Sequence, residues 1–111
     1  MKRVIIPVSK KLVEFFDKLE KSEKNEKLAC VWYNAKNMGI INIEKNQVFD
    51  VANSIERHSM EYLNAACETE EQISQAKDDF VVEMLRTIIE KCNDTYEEAN
   101  SLSDKLFEYV F

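Results

Sequence analysis

The chain has 111 residues, enough for one hydrophobic core and too few for two domains, and at 45% apolar and 32% charged it falls in the folded, soluble class rather than the disordered one. A single Gly and a single Pro leave little of the turn chemistry that hairpins require, which makes an all-β fold a poor reading and favours an all-α one. The net charge of −6 is unevenly spread: residues 1–36 carry nine Lys/Arg against five Asp/Glu, and residues 37–111 carry six against sixteen. Such a polarity points to charge-guided association and speaks against direct nucleic-acid binding through a general basic surface.

No apolar run approaches the roughly 20 residues that span a bilayer, so no membrane partner is expected. Lys10 and Lys11 interrupt the apolar start too early for a secretory signal. Cys30, Cys67 and Cys92 are odd in number and lack a CxxC pair, as expected of reduced thiols in a cytoplasmic protein, placed in the core or at its boundary.

A first helix is predicted over 8–21, where Val8, Leu12, Phe15, Phe16 and Leu19 form one stripe, with Pro7 or Ser9 at its start. Acid-first pairs four apart, such as Glu14–Lys18 and Asp17–Lys21, support its polar side. The run 21–27 offers no apolar residue to bury, so a break is placed at 22–25. Leu28, Val31, Trp32 and Ala35 recur at helical spacing and do not alternate, so the stretch "CVWYNAKNMGIIN" reads as the end of a second helix, 26–38, stopped by Gly39. Ile40 and Ile41 then fall in a buried connection, and Asn42 caps the next helix.

A third helix is predicted over 43–66, on a face that runs from Val48 through Ile55 to Ala66. The capping-box pattern "TEEQ" (69–72) and its variant "DTYE" (94–97) predict the starts of a fourth helix, 70–92, and a fifth, 95–109. Without a break near Cys67 the third and fourth would fuse into a rod of about 50 residues, some 75 Å long. The fourth is apolar around most of its circumference and is expected to be buried on several sides, as the bundle centre or a subunit interface. The expected fold is all-α, a compact bundle of four to five helices in a single domain, with strand confined to Val4–Ile6.

Few residues of the chain are arranged for chemistry. His58 is the only histidine and reads as a boundary residue; a di-metal helical bundle would need a second. Glu68 and Glu71 lie one helical turn apart, followed by Asp78, Asp79 and Glu83, and acids so spaced can hold Mg²⁺ near a nucleotide phosphate. This segment is distantly similar to the acidic pairs of all-α nucleotide pyrophosphohydrolases of the MazG type. The resemblance implies a metal-dependent hydrolase with Glu68, Glu71 or Asp79 as ligands. The second pair departs from that pattern, since Glu83 is followed three later by Arg86 and Glu90 by Asn93. A solvated acidic face accounts for the same residues, so no metal site, cofactor or catalytic residue is assigned.

Surfaces remain. Lys10 and Lys11 oppose the dipole of the helix they start, and with Lys2 and Arg3 they form a basic patch suited to an acidic partner or a phosphate. Trp32 belongs in the core, whereas Tyr33, one step round the helix, points away from it and suits an interface. Val81, Val82, Leu85 and Ile89 widen the apolar face of the fourth helix beyond what one-sided packing needs. The class expected from these features is a small interaction protein, a regulator, inhibitor or immunity-type partner that binds a protein surface and forms a homodimer. The alternatives are the hydrolase and a protein that sequesters a small molecule between its helices.

Overall fold

A computed structural model of the chain describes residues Arg3–Tyr109, so Lys2 of the basic patch lies outside the described residues. The order is β1 (Arg3–Pro7), a 3-10 turn (Lys10–Leu12), α1 (Val13–Ser22), α2 (Glu26–Met38), β2 (Ile40–Glu44), a second 3-10 turn (Lys45–Gln47), α3 (Val48–Gln75) and α4 (Asp79–Phe107). Helix dominates, as the composition requires, and the fold is an all-α bundle of four helices with one small two-stranded sheet.

The local signals explain most of the boundaries. Ser9 accepts a hydrogen bond from the Lys11 N–H and caps the turn that leads into α1. Asn25 caps α2 through the Lys27 N–H at 3.0 Å, and Gly39 ends it in the left-handed conformation at φ 68°. The break at 22–25 and the 26–38 helix therefore stand as expected.

After Gly39 the chain does not stay in a connection. Ile40–Glu44 pairs antiparallel with β1, Arg3 opposite Glu44 and Pro7 opposite Ile40, and the Val8 N–H extends the ladder to the Gly39 carbonyl at 2.8 Å. Asn42 is a strand residue that accepts from Arg3 Nε at 2.7 Å, and it caps nothing. The strand forms because Ile41 and Ile43 point one way into the core while Asn42 and Glu44 point the other.

The two long helices correct the predicted ends further. Helix persists through Cys67, because Tyr62, Ala66, Thr69 and Ile73 keep the three- and four-residue spacing. "TEEQ" lies inside α3, where the Thr69 hydroxyl donates to the Ala65 carbonyl at 2.7 Å instead of capping. "DTYE" likewise lies inside α4, with Thr95 bonded to the Lys91 carbonyl, so the predicted fourth and fifth helices are one. The real turn is at 76–78, where Asp78 accepts from the Phe80 N–H at 2.9 Å and caps α4.

The core sits at one end. Phe15, Phe16 and Leu19 of α1 meet Val31 and Trp32 of α2, Ile41 and Ile43 of β2, and the near ends of α3 and α4, which contribute Val48, Ile55, Leu102 and Leu106. Phe16 stacks on Trp32 with ring centroids 5.8 Å apart and meets Phe15 edge-on at 5.2 Å. We call this end the head. Beyond it α3 and α4 continue as an antiparallel hairpin that gives the molecule its 58 Å long axis against widths of 26 and 22 Å. The cysteines correct a further expectation: Cys30 and Cys67 are exposed, and only Cys92 lies at the core boundary.

Candidate interaction surface on the helical hairpin

At its base the hairpin is covered by α1, which lies across both helices. The Phe15 ring is 5.6 Å from Tyr62 of α3, Ser22 Oγ is 3.2 Å from His58 Nε2, and Glu14 meets Lys91 of α4 at 3.6 Å. Beyond α1 the two helices pack chiefly on one another.

The apolar circumference of α4 is consequently split into two rows. Val82, Leu85, Ile89 and Cys92, spaced by three and four, are half-buried along the seam with α3. Phe80, Met84 and Ile88, four apart, form a second row with Val81, and it is open to solvent: Phe80 is 71% exposed, Met84 52%, Ile88 45% and Val81 41%. Ile88 and Met84 precede buried Thr95 by seven and eleven residues, so they share the face that α4 turns toward the head at its base. On α3 the corresponding face carries Ala65, Thr69 and Ile73, which follow Tyr62 by three, seven and eleven. A ridge of large apolar side chains thus runs along α4 on the side where the head stands. The head ends and the apolar face goes on.

Where ridge and head meet there is a cleft of about 180 Å³, lined by Phe15, Lys18, Tyr62, Ile88, Lys91 and Thr95, with Lys11 at its edge. Lys18 lies over the Tyr62 ring at 5.3 Å, and the Tyr62 hydroxyl is screened from solvent with no hydrogen-bond partner among the described residues. The cleft falls below the roughly 300 Å³ at which small-molecule sites begin. A larger groove of about 620 Å³ borders Lys27, Asn34, Asn46 and Asp50, with Arg3 engaged by Asn42 and Glu44 at its side.

The residues singled out in the sequence are distributed unequally. Val81 is on the open row, whereas Val82, Leu85 and Ile89 lie on the half-buried one, so the helix expected to be buried on several sides is covered on one. Lys10 and Lys11 are both exposed, and Lys11 lines the edge of the cleft. Tyr33 is exposed on α2, which packs on α1 and β2, and is not brought together with the hairpin residues. Phe80, Met84 and Ile88 were not distinguished from the rest of the apolar helix by sequence reasoning; their spacing of four was the available signal.

On the other side of α1, Lys36 bridges Asp17 at 3.1 Å and Glu20 at 2.8 Å, and Lys21 adds a second cation to Asp17 at 2.9 Å. The Lys21 hydrogen bond, and after it that of Lys36, holds the Asp17 carboxyl below the usual carboxylate range. Glu20 first and Asp17 second push the Lys36 ammonium pKa above its ordinary value. This cluster ties α1 to α2 and presents no open coordination. Among the described residues no three His, Cys, Asp or Glu side chains converge on a metal-sized site, and no described helix is long and apolar enough to cross a membrane. Compared with protein-family models, with curated proteins and with solved structures, the chain gives no match in any of the three.

Proposed function

We propose that the chain is an interaction protein, a regulator, inhibitor or immunity-type partner acting in the cytoplasm, that lays the outer face of its α3–α4 hairpin against another protein surface. The observation that carries this reading is the row Phe80, Val81, Met84 and Ile88, large apolar side chains left open on a projecting pair of helices. Two helices alone cannot cover an apolar face this wide, and exposed apolar patches of this kind mark association sites. The free, unpaired state of all three cysteines fits a reducing compartment.

The reading is tested by co-purification from cells in which the chain occurs naturally, using wild type and the double variant Met84→Glu/Ile88→Glu as baits. Both positions are open, so the variant keeps its fold, to be checked by far-UV circular dichroism. A partner protein recovered with wild type and lost with the variant is the expected result. A partner retained by the variant, or none with either bait, removes the hairpin face from the function.

A further inference from the structure

We infer that the hairpin face is occupied by a second copy of the chain, in a two-fold dimer whose two hairpins point in opposite directions and whose tips each dock on the other's head. This rests on the reading of the hairpin as a docking surface and supplies the identity of one occupant.

The head stands on the same side of the hairpin as the open ridge, because Tyr62 and Thr95 face it at the base and Met84 and Ile88 continue their rows. Two copies that met ridge to ridge with tips parallel would drive head into head. With tips opposed, the heads fall at opposite ends and each tip runs toward the partner's α1. The two-fold then lays each α4 antiparallel on the partner's α4, so that the open rows of Phe80, Met84 and Ile88 cover one another.

The ends of that contact are complementary in charge. The tip carries Asp78 and Asp79 next to Phe80, the most exposed residue of the ridge. The cleft it would reach is edged by Lys11, Lys18 and Lys91, the last of them paired with Glu14, around Phe15, Tyr62 and Ile88. An aromatic side chain on a tip of net negative charge, Asp78 and Asp79 against Lys77, thus faces an aromatic-floored cleft of net positive charge, three lysines against Glu14. The register closes by symmetry: the distance along α4 from its own tip at Asp79 to its own cleft at Lys91 is about 18 Å at 1.5 Å per residue. An overlap of that length seats both tips together. Lys11, a poor residue for the first turn of a helix, gains an anionic partner in this arrangement.

The test is a charge exchange read by sedimentation equilibrium on the full chain. In one variant the tip is changed by Asp78→Asn, which preserves the cap, together with Asp79→Lys. In the other the cleft is changed by Lys11→Glu and Lys18→Glu. Wild type is expected to dimerise in the micromolar range. Each variant alone should weaken that dimer by roughly tenfold or more, because like charges then face each other across both contacts. An equimolar mixture should recover dimer, since a cationic tip meets an anionic cleft in one contact and the native signs are kept in the other. Phe80→Ser, at an open position, should weaken the dimer by a similar factor and serves if a charge variant does not fold. A wild-type monomer at all concentrations, a dimer indifferent to all these changes, or a mixture that stays monomeric overturns the inference. A monomeric wild type that still loses its co-purified partner on Met84→Glu/Ile88→Glu would end the dimer alone and leave the docking surface intact.

Discussion

The hydroxyl of Ser103 on α4 donates to the carbonyl of Ala52 on α3 at 3.0 Å, across 51 residues of sequence and in a fully buried setting. A small polar residue at this point lets the two helices approach closely, and its hydroxyl is satisfied without water. Ser103→Ala keeps the close approach and removes only the bond, so it should cost about 1 kcal/mol. Ser103→Leu should cost more, roughly 1–3 kcal/mol, by forcing the helices apart. Urea denaturation of the two variants separates these outcomes; equal stabilities would show that the bond and the spacing are both immaterial.

Gly39 is the second point of leverage. Its φ of 68° sits where L side chains are strained, yet a Cβ built there meets nothing within 4 Å. Gly39→Ala should therefore cost about 1 kcal/mol through the backbone alone. Gly39→Asn should cost less, because Asn tolerates the left-handed region best among the other residues. Melting temperatures in the order Gly, Asn, Ala would establish that the helix end is held by conformation and not by packing.

The Asp17–Lys36–Glu20 cluster predicts opposite effects at the two ends of the pH scale. Asp17 binds its proton more weakly folded than unfolded, so its contribution is present above the unfolded carboxylate pKa and is lost as pH falls through the lower folded value. Lys36 is the reverse: its contribution is present below the unfolded ammonium pKa and is lost as pH rises through the higher folded one. Asp17→Asn should flatten the stability profile below about pH 4, and Lys36→Met above about pH 10. Thermal melts across pH would expose an error if either variant altered the opposite limb more than its own.

Tyr62 offers a change that should not destabilise. Its ring packs on Phe15 and carries Lys18, but its hydroxyl is screened and unbonded. Tyr62→Phe keeps the ring and removes a group whose burial without a partner costs about 1–3 kcal/mol. The variant should be as stable as wild type or more so by up to about 1 kcal/mol; a clear loss in a denaturation curve would mean that the hydroxyl has a partner in solution.

The parts of this fold that were legible are those set by neighbours in sequence. Asn25, Gly39 and the charged run before α2 act within a turn of themselves, and the helix they delimit was readable to the residue. Trp32 in the core and Tyr33 outside it followed from the same local period. The features that escaped depend on contacts far along the chain. Ile41 and Ile43 alternate with polar residues, but a five-residue strand has no meaning until Arg3–Pro7 lies beside it. "TEEQ" and "DTYE" have the chemistry of helix starts, yet Thr69 and Thr95 are buried between α3 and α4 or against the head, and tertiary packing carries the helix through them. The true tip had a signal, Asp78 as cap with Asp79 in the first turn, hidden by the unbroken apolar spacing from Ile73 to Phe80. The open ridge was invisible for a related reason: sequence shows how apolar α4 is, but not where α1 stops covering it.

The length of α3 and α4 turns the head into a pivot. The tip lies about 18 Å beyond Lys91 at 1.5 Å per residue, so a tilt of about 5° where α1 clasps the base would swing it by about 1.6 Å. The side chains that set this angle are those at the clasp, Phe15 against Tyr62 and Glu14 against Lys91. A substitution there, far from Phe80, would be felt as a displacement of Phe80. The molecule has the mechanics of a lever, with its fulcrum in the core and its working end in solvent.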